Sequence, residues 1–124
     1  MIKLLYIEDI RRPERNLEYK LIIKRLDFEK VIEYYDSIEL DDVAQIVADG
    51  VICHAGMAAY NVVKTFAEEN KWPFLSYSGG VDSPPRLTEN KFKKGHFSVD
   101  SDYFEQALPE FVDYCRYRKL SNKE

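Results

Sequence analysis

The chain has 124 residues, 45% of them hydrophobic and 32% charged, which suits one globular domain with a real core and excludes a disordered chain. Its net charge of -4 argues against nucleic acid as the main partner, because a phosphate backbone calls for a cationic surface. No apolar run approaches membrane-spanning length, and the first residues read as a strand rather than a signal peptide, so a cytoplasmic protein is expected.

Lys3-Leu4-Leu5-Tyr6-Ile7 reads as a strand buried on both faces, and it ends at the adjacent acids Glu8 and Asp9. Pro13 suits the first turn of a helix whose buried stripe is expected at Leu17, Leu21, Ile22 and Leu26. Phe28 to Tyr35 reads as an edge strand guarded by Glu29, Lys30 and Glu33. Ser37 then caps a helix from Ile38 to about Ala48. After Asp49-Gly50, the run Val51-Ile52-Cys53 is a third strand, stopping at Gly56. Met57 to Glu69 is helical, with Val62, Val63, Phe66 and Ala67 at helical spacing. Pro73 opens a fourth strand, Phe74-Leu75-Ser76-Tyr77, which ends at Gly79-Gly80.

Val81 to Lys94 is expected to be a long loop with at most one helical turn, from Thr88 to Phe92. Its Lys91, Lys93 and Lys94 are the one candidate basic patch in the middle of the chain. His96 to Val99 is a short last strand. A final helix follows, with Phe104, Ala107, Leu108, Phe111, Val112 and Cys115 on one face and Pro109 placed to kink or restart it. Residues 1–120 thus form one domain, and 121–124 a frayed tail. Cys53 and Cys115 read as reduced, semi-buried thiols.

This alternation predicts an α/β fold in three layers: a five-stranded parallel sheet in the order 2-1-3-4-5 with helices on both faces, the doubly wound flavodoxin-like arrangement. In such sheets chemistry sits beyond the carboxyl ends of the strands. Along nearly its whole length the chain resembles the response-regulator receiver domain. Lys3 to Asp9 looks like that family's first strand with its Mg²⁺-holding acidic pair. Asp49-Gly50-Val51-Ile52-Cys53-His54 matches the third strand but puts His54 where the phospho-acceptor Asp belongs. Ser78 fits the hydroxyl that senses the phosphoryl group. His96-Phe97-Ser98-Val99-Asp100 lacks the strand-five Lys.

Phosphoryl transfer to a receiver needs a carboxylate nucleophile, a divalent cation and a cationic side chain. Two of these are missing, so the resemblance implies a pseudo-receiver. Such a domain is no enzyme and works as a signalling module through a protein partner or a homodimer. The expected contact surface is the loop after the fourth strand, the fifth strand and the last helix, with Val81, Phe92, Tyr103 and Phe104 as candidates. No cofactor is called for beyond Mg²⁺ as a candidate at Glu8 and Asp9, which His54 can join as a transition-metal ligand.

One string stands apart. Ser78-Gly79-Gly80-Val81-Asp82-Ser83 has the letters of the pyrophosphate-binding loop of ATP pyrophosphatases (the PP-loop). It makes a small nucleotide- or phosphate-binding protein, using this loop with Glu8 and Asp9, one alternative reading; a receiver that responds to a metal or small ligand without an aspartyl phosphate is the other. Pro84-Pro85 follows at once, where that family has a helix, so context favours a polar glycine turn over a nucleotide loop. Cys53 beside His54 is a core thiol on the bland reading, since neighbours on a strand point to opposite faces.

Overall fold

The computed structural model describes residues 2–8, 11–25, 30–35, 48–56, 60–79 and 87–121, with residues 8 and 30–35 described by their backbone alone. Strands β1 (Lys3–Glu8), β2 (Lys30–Tyr35), β3 (Gly50–His54), β4 (Phe74–Ser78), β5 (Thr88–Glu89) and β6 (His96–Asp100) form one sheet in the order β2-β1-β3-β4-β6-β5. Helices α1 (Pro13–Arg25), α2 (Tyr60–Asn70) and α3 (Phe104–Ser121) pack against it. All pairings are parallel except that of β5 with β6. The expected helix from Ile38 lies outside the described residues, save Ala48, which is buried.

The sheet therefore has six strands rather than five. Thr88–Glu89 pairs antiparallel with Ser98 and Phe97 where a helical turn is expected from the sequence. The edge of β6 needs backbone partners, and this short stretch supplies them. Asn90 N–H donates to the His96 carbonyl at 2.8 Å, and Gly95 N–H donates to Glu89 Oε2 at 2.9 Å. Gly95 holds a φ of 84°, the left-handed region that a side chain resists.

Period-two alternation splits β1 between two cores. Leu4 and Tyr6 join Ile52, Leu75, Tyr77 and Val99 under α1 and α3. Leu5 and Ile7 join Val51, Cys53 and Phe74 under Val63 and Ala67 of α2. Helix α3 buries the face that its spacing predicts, and it runs through Pro109 without restarting. Helix α1 does not bury its leucines. Its buried residues are Asn16, Tyr19 and Ile23, while Leu17 is 60% and Leu21 46% exposed. Tyr19 sets this rotation: its ring stacks on Tyr77 at 4.2 Å and meets Phe104 edge-on at 4.8 Å. Leu26 lies outside the described residues.

Two further features fix the frame. Asp49 Oδ2 accepts from the Lys3 backbone N–H at 2.7 Å and from Lys119 Nζ at 3.2 Å, tying β1, the entry to β3 and the end of α3 to one carboxylate. Both cysteines are buried and neither forms a disulfide, and burial pushes the Cys115 thiol well above its ordinary value. Among the described residues no helix is long and apolar enough to cross a membrane.

Candidate functional site

Five parallel strands place their carboxyl ends on one edge of the sheet, where Glu8, His54, Ser78 and Asp100 stand as terminal residues. His54 pairs with Tyr77 across β3 and β4, and Ser78 with Asp100 across β4 and β6. His54 turns back on its own chain: Gly56 N–H donates to Nδ1 at 2.9 Å. Nδ1 is thereby an acceptor, so the neutral ring carries its proton on Nε2. The ring also meets Tyr77 edge-on at 5.2 Å. Below it the hydroxyls of Tyr6 and Tyr77 share a buried hydrogen bond of 2.6 Å. Burial, with Tyr6 beside it, pushes the Tyr77 hydroxyl far above its ordinary value, so it stays protonated.

The expected site residues divide. Asp100 Oδ1 accepts from Asp102 N–H at 2.9 Å and caps the 3-10 turn Ser101–Tyr103. No cation takes the place of the receiver lysine on β6, since its residues are His96, Phe97, Ser98, Val99 and Asp100. Ser78 is half-buried at the end of β4. The Glu8 side chain, Asp9, Gly80, Val81, Asp82 and Ser83 lie outside the described residues. Among the described residues no three His, Cys, Asp or Glu side chains group as a metal site. Cys53 belongs to the core under α2, its Sγ 3.4 Å from the His54 carbonyl.

The contact surface is corrected at one residue. Phe104 is 0% exposed and lies among Tyr19, Tyr77 and the α3 core, so it cannot meet a partner. Phe92 and Tyr103 are both exposed but flank opposite ends of β6. They do not form one patch with each other.

The structure adds residues that the sequence reading passes over. Arg11, Arg12 and Arg15 line a hollow of about 290 Å³ together with His54 and Gly56. Arg15 also acts on Tyr19 and Tyr77, holding both hydroxyls slightly down against the larger effect of burial. Three arginines within five residues, directly after a strand-end acid pair, are the signal that could have found it. No protein-family model, curated protein or solved structure matches this chain. The site is therefore argued from its own chemistry. Its lining carries guanidinium groups and an imidazole, residue types suited to an anion. Among its described residues no nucleophile is paired with a base.

The glycine loop can be tested at its first glycine. A Cβ built on Gly79 meets nothing within 4 Å, and its φ is not in the left-handed region. Gly79→Ala is expected to leave urea-unfolding stability unchanged or raise it by less than about 1 kcal/mol. A large loss would mean that the backbone needs glycine there after all.

Proposed function

We propose that this chain is a receiver-like module on a doubly wound, flavodoxin-like sheet, working by protein contact without an aspartyl phosphate. One observation carries the reading. The strand end where a receiver presents its acceptor carboxylate holds His54, and that imidazole is engaged with its own turn through Gly56. Asp100, at the end of β6, is likewise spent on a cap. A scaffold of this kind without its phosphoryl chemistry has few other uses than the docking of its surface. Tyr117 and Leu120, exposed three residues apart on α3, are the apolar positions that we assign to that contact, with a partner protein or a second copy.

The test is incubation with acetyl phosphate and Mg²⁺, read by intact mass. No phosphoryl adduct is expected. A stoichiometric adduct would sink the reading. Sedimentation over a range of concentrations then separates the two partners: self-association weakened in Tyr117→Ser and Leu120→Ser identifies a second copy.

One observation favours a second reading, that of a phosphate-binding protein using the loop from Ser78 to Ser83. The arginines of the hollow beside His54 stand at the same edge as Ser78. Saturable pyrophosphate binding lost in Arg12→Gln would support it over the docking module.

A further inference from the structure

The opposite edge of the sheet, where the strands begin, holds another hollow. It measures about 320 Å³ and lies between the end of α2, the turn before β6 and the end of α3. Three cations reach it from three separate segments: Lys71, Lys94 and Arg118. A fourth, Lys93, is held by Glu68 at 2.7 Å and also keeps the Glu68 carboxyl below its ordinary value. In a chain of net charge -4 this is a local reversal of sign.

Aromatic surface stands beside the charge. Trp72 forms part of the wall, and Phe92 is 92% exposed at the rim. The fourth feature is His96. It is only 7% exposed and lines the hollow, and its buried Nδ1 has no hydrogen-bond partner among the described residues. That nitrogen has almost no accessible surface and the ring also lines a second hollow, so His96 is a buried part of the wall. Burial is the main influence on this ring and keeps it neutral.

Lys71 adds strain to the account. Trp72 N–H donates to the Ala67 carbonyl at 2.9 Å and Lys71 N–H to the Glu68 carbonyl at 3.2 Å, the pair of hydrogen bonds that closes a helix. The closing residue has a φ of 58°, where glycine fits without strain, yet a lysine occupies it. Backbone strain of this sort gathers at ligand clamps.

We propose that this hollow binds a nucleoside phosphate. The base lies against Phe92 and Trp72, and the phosphate among Lys71, Lys94 and Arg118. Stacking on an aromatic face tolerates any base, and the cations take the charged end. The volume is at the lower end of small-molecule sites, about 300–1,000 Å³, which suits a mononucleotide. This site lies at the far edge from His54 but shares the end of α3 with Tyr117 and Leu120, so nucleotide binding is read apart from any docking contact by using the isolated chain at a concentration where it does not self-associate.

The chain has a single tryptophan, Trp72, so its fluorescence reports on this wall alone. AMP, adenosine and inorganic phosphate are titrated separately, with calorimetry as the second readout. Saturable AMP binding is expected, about tenfold or more tighter than adenosine or phosphate. Phe92→Ala and Lys71→Gly should each weaken it by about tenfold; Phe92 is exposed and glycine suits the cap, so both variants fold. Glu14→Gln, exposed in the first turn of α1 and part of neither hollow, should leave it unchanged. Absence of saturable AMP binding by both methods overturns the proposal. So does AMP binding that survives both Phe92→Ala and Lys71→Gly, or phosphate binding as tight as AMP.

Discussion

Tyr77→Ala is expected to lower the unfolding free energy by about 3–5 kcal/mol, among the largest costs of any single substitution here. The ring is buried between Tyr19, Phe104 and His54, so truncating it leaves a cavity among three rings. The hydroxyl makes a finer prediction. Tyr6→Phe leaves the buried Tyr77 oxygen without its 2.6 Å partner, which should cost about 1–3 kcal/mol. Adding Tyr77→Phe removes the stranded group, so the double variant should be no worse than Tyr6→Phe alone. Urea unfolding of the three variants reads this cycle directly. Strictly additive losses would mean that the two hydroxyls do not depend on each other.

Gly50→Ala is the second large effect. A Cβ there would sit 2.6 Å from Cys115 Sγ and 3.3 Å from both Leu4 and Phe111. Gly50 therefore lets α3 lie close on the start of β3, and a methyl group forces them apart. The expected cost is about 1–3 kcal/mol. Its cause can be isolated, because Cys115→Ala removes the nearest atom. The pair Gly50→Ala with Cys115→Ala should be more stable than Gly50→Ala alone, with a coupling of about 0.5–3 kcal/mol. If Cys115→Ala gives no rescue, the collision lies with Leu4 and Phe111 instead.

The sequence made β3, β4 and α3 readable because their burial follows a simple period. In α3 each predicted core position, from Phe104 to Cys115, is buried. On α1 it failed at Leu17 and Leu21, which are exposed, while Ile22 does pack partly against the core. What decides the helix face is a ring on β4, Tyr77, whose position no local pattern contains. It failed on β5 for a different reason. Thr88–Glu89 is exposed and polar, and only its backbone is used. Hydrophobic period cannot see an edge that needs hydrogen bonds alone.

The site was legible in the same uneven way. The parallel alternation pointed to His54 and Ser78, which do stand at one edge. The arginines beside His54 went unread because a basic run before a helix is an ordinary solvated stretch until a cavity is seen between its side chains. The hollow at the other edge was further out of reach. Lys71, Lys94 and Arg118 are separated by more than twenty residues at each step, and only the folded sheet gathers them.

The double contact on Asp49 has a consequence for how the chain is wired. Lys3 and Lys119 meet at one carboxylate, so the two ends of the fold are neighbours in space. The domain is in effect a ring opened at a single point. A short tether from the end of α3 back to β1 would close it, and a fresh opening in the exposed turn Lys91–Lys94 would leave every strand pairing intact. Order along the sequence is then a choice of where the ring is cut, and the native contacts do not depend on it.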